Sequence, residues 1–178
     1  MAYPVFASGD VLNASDMNAV GLWLVKSQTV GTGVSSVQVT GAFSSSYDSY
    51  KIIWTGGTSS AATQIDMTLG SATTAYYNTL QYGSSYATPT PSGIGNNNGS
   101  KFTFVGWSES SSGGVIECEL HQPFLSKWTH FRSSWMATTN GGINAGVQQS
   151  TTSFTSFTFT PLSGTITGGT IRVYGYRN

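Results

Sequence analysis

The chain has 178 residues, with seven Lys and Arg against seven Asp and Glu, and a formal net charge of zero. Only 8% of its residues are charged, against roughly 25% in an average soluble domain. No basic excess is left to neutralise phosphates, which excludes nucleic-acid binding as the expected role and disfavours an anionic membrane surface. The length suits one well-buried domain rather than two. Solubility must rest on Ser, Thr, Asn, Gln and Gly, a surface suited to a protein that lies against copies of itself or against another protein.

The start, "MAYPVF", has the pattern of an extended arm. It lacks the basic and apolar regions of a secretory signal, so the expectation is synthesis in the cytoplasm without a signal peptide. Residues 6–20, "FASGDVLNASDMNAV", predict a short amphipathic helix. Asn13 or Ser15 is placed to cap it, because their side-chain oxygens accept from the free amides of a first helical turn. Met17, Val20, Leu22 and Trp23 would form its apolar side. Residues 1–24 are therefore expected to be a docking segment, and residues 25–178 a separate β domain. No apolar stretch reaches the roughly 18 residues of a membrane span, so no membrane insertion is expected.

Beyond the helix, short runs rich in Val, Ile, Thr and aromatics alternate with turn residues. They begin with "LWLVKSQTV", "VSSVQVTGAF", "YKIIWT", "TQIDMTL" and "YYNTLQY". "KFTFVGW", "GVIECEL", "WTHFRSSWMA", "INAGVQQ", "SFTSFTFTP" and "GTIRVYGY" complete the series. Ten or so such runs at near-regular spacing predict an all-β fold, an antiparallel β-sandwich or jelly roll. Residues 86–100, "YATPTPSGIGNNNGS", are too long for a hairpin turn and read as an exposed loop. Tyr77, Tyr82 and Tyr86 precede or open that loop, beside Asn96, Asn97 and Asn98. Rings beside amides can stack on and hydrogen-bond to sugars, which makes this a candidate glycan-facing loop. The favoured alternative is that the aromatics fill the core or a subunit interface, where they supply most of the buried area.

One hairpin is legible in detail. In "GVIECELHQPFLSKWTHFRSSW", Glu117, Glu119 and His121 alternate onto one face, with Cys118 and Leu120 on the other. On the following strand, Trp128, His130 and Arg132 share a face opposite Phe131. Matching polar to polar predicts Glu117 opposite Arg132, Glu119 opposite His130, and Cys118 opposite Phe131. A one-residue slip would put Phe131 among the carboxylates.

Two carboxylates and two imidazoles on one face raise the question of a metal. A guanidinium facing Glu117 opposes a bound cation, and cross-strand charge pairs are ordinary sheet devices. The face is thus expected to be structural, with no metal and no cofactor. Catalysis is not expected either. Asp48, Asp66, Glu109, Glu117 and Glu119 show no spacing that sets two carboxylates across a cleft. There is no "GxSxG" elbow, and "SGIGNNNGS" lacks the Lys-Ser/Thr of a phosphate loop. Cys118 is the only cysteine, so no intrachain disulfide forms, and its place in an alternating run predicts a core position.

Three segments together carry a resemblance: "FASGDVLNASDMNAVGLWLV" at the start, "SSYDSYKIIWTGG" in the middle and "GGTIRVYGYRN" at the end. The chain resembles small structural proteins of tailed bacteriophages, the head-decoration (cement) and tail-fibre-like proteins of the virion surface. The resemblance implies a β-sandwich, usually trimeric, docked on the major capsid protein or on a tail protein by an N-terminal arm. It assigns the arm role to Tyr3, Pro4, Phe6, Val11, Leu12, Met17 and Trp23, and carries no catalytic residues. The implied function is capsid decoration that stabilises the particle, with a receptor-binding knob for host-surface glycan as the alternative. A carbohydrate-binding module or small hydrolase outside phages is a more remote reading.

Overall fold

The computed structural model describes Ser8, Gly9, Val11 and residues 21–176. The helix expected over residues 6–20 therefore lies almost wholly outside the described residues, as do Tyr3, Pro4, Phe6, Leu12 and Met17. Among the described residues there is no helix and there are thirteen strands, all paired antiparallel. They are β1 (Leu22–Thr29), β2 (Val37–Thr40), β3 (Ser49–Ser59), β4 (Thr63–Leu69), β5 (Tyr76–Gly83), β6 (Pro91–Gly99) and β7 (Phe102–Glu109). The remainder are β8 (Gly113–His121), β9 (Thr129–Met136), β10 (Gly141–Gln148), β11 (Ser156–Pro161), β12 (Ile166–Thr167) and β13 (Thr170–Tyr176).

Leu22 and Trp23 were expected both on the apolar side of a helix and at the start of the first strand-like run, "LWLVKSQTV". They lie in β1 and not on a helix, facing Tyr176 and Gly175 of β13. The cause is tertiary: the last strand offers residues 22–29 a ladder, interrupted by a register shift between Leu24 and Lys26, and burial alternates on either side of that shift. β1 also runs through residue 24, where the docking segment was expected to end.

The strands join in the order β2-β11-β4-β7-β8-β9-β10-β5-β6, with a branch from β8 through β3 and β13 to β1. The fork is at β8. Its first residues, Gly113 to Val115, pair with β7, whereas Ile116 to His121 pair with β9. β3 holds the other edge of β8 along most of its length. One hydrophobic cluster draws on every limb of the fork. It includes Tyr50, Ile52 and Trp54 of β3, Ile116, Cys118 and Leu120 of β8, Ile65, Met67 and Leu69 of β4, and Phe157 and Phe159 of β11. Each such side chain contributes about 1.5–3 kcal/mol on burial, so the fork is held by its shared core. Phe104, Trp107 and Trp135 form a mutually contacting aromatic triad where β7 diverges from β9, with ring centroids 5.8–6.1 Å apart.

The divergence leaves irregular backbone at the start of β7, where Phe104 takes a φ of +57°. Side chains satisfy it. The Phe104 amide donates to Asp66 Oδ1 at 3.0 Å, and Asn144 Nδ2 donates to the carbonyls of Thr103 (2.6 Å) and Phe104 (2.9 Å). Asn78 accepts from the Thr103 amide through Oδ1 (3.3 Å). Asn96 in turn donates to that same oxygen (2.8 Å) and to the Lys101 carbonyl (2.8 Å). Buried polar groups cost free energy unless paired, and here the pairing fixes an unusual backbone.

Two further expectations are corrected. Much of the supposed loop at residues 86–100 is strand β6, paired with β5 from Pro91–Gly83 to Gly99–Tyr76. An edge strand tolerates what a central one does not. Pro91 sits at its first position, and its glycines need only one hydrogen-bonded neighbour. The β8–β9 register is also shifted by two residues from the expected one: Glu119 faces Arg132, Glu117 faces Ser134, His121 faces His130, and Cys118 faces Ser133. A two-residue shift keeps every side chain on its face, so the polar pattern alone could not detect it. Cys118 is buried as expected, 1% exposed, and burial pushes its thiol well above the ordinary cysteine range.

Candidate functional site: a trough on the outer sheet face

Alternate residues of β8, β9, β10 and β5 point away from the core and form a grid. One rung reads Glu117, Ser134, Ile143 and Gln81; the next reads Glu119, Arg132, Ala145 and Thr79; a third reads His121, His130, Val147 and Tyr77. The first two rungs enclose a hollow of about 590 Å³. It opens at one end into a groove of about 860 Å³ bounded by Tyr82, Tyr86, Pro89, Pro91 and Met136, with Gln81 and Ile143 common to both. At the other end it meets a hollow of about 580 Å³ lined by Tyr77, Gly95 and Asn97, with Thr79 and Ala145 common to both. The three form one trough along the strands. Its floor is low because Ala145, Gly93 and Gly95 carry little or no side chain.

The expected polar face is thus real as a face, with different partners. Glu117 pairs with Lys51 of β3 at 2.5 Å. Arg132 pairs with Glu119, its Nε donating to Oε2 at 2.5 Å, and the Tyr176 hydroxyl donates to the other oxygen of Glu119. Partial burial would raise the Glu119 carboxyl, but the hydrogen bonds from Tyr176 and Arg132 outweigh it and hold it below the usual carboxylate range. Burial, and the cost of ionising beside that carboxylate, push the Tyr176 phenol up to about 12. His121 shares a hydrogen bond with Ser49 through Nδ1 at 2.9 Å. Among the described residues, no group of three or more His, Cys, Asp or Glu is placed to hold a metal ion. Each carboxylate of this face already carries a cationic partner.

These pairs should be measurable. Double-mutant cycles to Ala at Glu119/Arg132 and Glu117/Lys51 are expected to show coupling of about 0.2–1 kcal/mol in urea melts. Glu117/Arg132 should be additive, and coupling confined to that pair would overturn the observed register.

The residues of the expected glycan-facing loop are divided. Asn96 belongs to the internal network described above, and Asn98 turns the chain at a φ of +54°, its Oδ1 accepting from the Ala75 amide. Tyr77 and Asn97 line one end of the trough. Tyr82 and Tyr86 line the other. Tyr86 is 53% exposed, yet its hydroxyl is fixed, lying 2.7 Å from the Asn140 carbonyl and 3.0 Å from that of Ala137. Sequence reading missed the middle of the trough: Thr79, Gln81, Ser134, Ile143 and Ala145. The alternation in "YYNTLQY" and "INAGVQQ" was the available signal, but nothing local told which strands are neighbours.

Of the arm residues, Val11 is 84% exposed and Trp23 is half-buried in β1. Compared with protein-family models, curated proteins and solved structures, the chain matches none.

Proposed function

We propose that the chain is a structural module of a tailed-bacteriophage particle surface, a capsid decoration protein that docks by its N-terminal segment and stabilises the shell. In this reading the forked antiparallel sheet is a β-sandwich of jelly-roll type, three copies associate, and the partner is the major capsid protein or a tail protein. The observation that carries it is the edge at β1. Among the described residues this strand pairs only with β13, and Leu22 and Leu24, 41% and 55% exposed, stand on it at the end of the docking segment. Solitary proteins blunt such apolar edges; a partner that covers this one gives it a reason. The resemblance of the first residues to virion docking arms supports the same reading. The mechanism is mechanical: each copy bridges neighbours, so loss of any subunit must break more contacts. No cofactor or catalytic step enters it.

Deletion of residues 1–20 tests the proposal. The shortened chain is expected to melt cooperatively and to remain trimeric in sedimentation, while losing attachment to particles that lack the protein. Attachment that survives the deletion, or a chain that no longer melts cooperatively, would sink it. A second reading, a tail-fibre knob that recognises host-surface glycan, is favoured by the trough. Cryo-electron microscopy of intact particles separates the two by placing the copies on head or tail.

A further inference from the structure

We infer that the trough along β9, β10, β5 and β6 is a binding site for a neutral oligosaccharide. Its chemistry is that of a polyhydroxyl site, with a small number of convergent polar groups around an apolar floor. Thr79, Gln81 and Ser134 are exposed on its surface and make no side-chain hydrogen bond among the described residues. Their donors and acceptors are free for sugar hydroxyls. The Arg132 guanidinium and the Glu119 carboxylate lie side by side, the arginine side chain 68% exposed. A diol can accept from the first and donate to the second, and charge-assisted bonds of this kind are the strong ones. Ile143, 62% exposed, and the ring of Tyr86 offer apolar surface for the C–H face of a pyranose.

Charge selects the class of sugar. The charged groups lining the central hollow are Glu117, Glu119 and Arg132, and Lys51 neutralises Glu117. The four charges cancel in pairs, leaving no free cation for a sialic acid, uronate or sulfate and no free anion for an amine. A neutral ligand loses nothing here, whereas a charged one would give up its hydration without a partner. Dimensions agree. The trough runs along β10 from Gly141 to Val147, about 20 Å of strand, long enough for several sugar rings in file. Because it is built on strands and its Tyr86 ring is pinned, little order must be imposed on binding. Five strands separate β5, at its outer side, from β1, on the order of 30 Å, whereas at its inner side Glu119 accepts from Tyr176, the ladder partner of Leu22 in β1.

The test uses the full chain against a panel of neutral glucans, mannans and galactans and their sialylated and sulfated counterparts, followed by calorimetric titration of any hit. Binding to neutral members alone is expected. Gln81→Ala and Arg132→Ala should each weaken it roughly tenfold, the equivalent of about one hydrogen bond, with thermal melts close to the parent. Gln38→Ala, exposed on β2 at the opposite end of the strand order, should leave it unchanged. No binding across the panel, binding restricted to anionic members, or full affinity in both trough variants would overturn the inference. Self-association abolished by Ile143→Asp would also overturn it, by assigning the face to a second copy. Attachment to particles is read separately from the 1–20 deletion, so failure of either result leaves the other standing.

Discussion

Asp66→Ala is expected to lower stability by about 3 kcal/mol, the lower end of what breaking a buried ion pair costs. Asp66 is wholly buried in β4, at the point where the β4–β7 register shifts between Ile65 and Met67. Its Oδ1 accepts from Gln64 Nε2 at 2.7 Å and from the Phe104 amide at 3.0 Å, and its Oδ2 lies 2.7 Å from Lys101 Nζ. The carboxylate therefore completes a bulged strand that cannot satisfy itself. Removing it strands two donors in the interior and leaves an ammonium without its partner. The Lys101 side chain is 31% exposed and can turn to water, which keeps the cost from reaching the upper end of the range. Asp66→Asn should be milder, since an amide oxygen can still accept from Phe104. Urea titration checks both: the midpoint should fall with little change in slope. An alanine variant as stable as the parent would mean that the network does not hold the fork.

Trp54→Ala is expected to cost about 3–5 kcal/mol, as large-to-small changes at buried aromatics do. Trp54 is 1% exposed and fills a slot walled by glycines, with its Nε1 donating to the Gly168 carbonyl at 3.3 Å. A Cβ at Gly57 would lie 2.2 Å from its ring, one at Gly114 3.0 Å from it, and one at Gly169 2.8 Å from Nε1. Gly169 also has a φ of +80°, a conformation natural to glycine. The indole and the three glycines thus specify one another. Gly57→Ala should destabilise by overpacking, about 1–3 kcal/mol, and should do less harm when Trp54 is already Ala, although the Gly168 carbonyl, 2.5 Å from the added Cβ, keeps part of the cost. Calorimetric melts of the two single variants and the double variant measure that coupling. Additive losses, or a Trp54→Ala change no worse than a surface substitution at about 0.5 kcal/mol, would contradict the slot.

Particular elements mark how far the sequence could be read. The runs around Ile52, Met67, Cys118 and Phe157 announce strands because period-two alternation and turn residues are local properties. The inward placement of Cys118 follows from the same alternation, and so does the shared face of Glu117, Glu119 and Arg132. The assignment of β6 failed because its Pro and Gly residues are those of loops; only pairing with β5 makes them an edge strand. Leu22 and Trp23 fitted both a helix face and the first strand run, and their ladder partner, the last strand of the chain, decides for the strand.

The sequence by itself determined an all-β antiparallel fold, the sorting of side chains into core and surface, and a net charge of zero. Each of these is set by residue type and short-range period. The tertiary structure alone decided that Arg132 meets Glu119, that Lys51 takes Glu117, that Asp66 closes the fork, and that Thr79, Gln81, Ser134 and Ile143 meet in a trough. Two-residue shifts of register and the order of strands preserve every local pattern. They are chosen by which arrangement packs Trp54 against its glycines and satisfies the backbone at Phe104, and those are contacts between segments far apart in the chain.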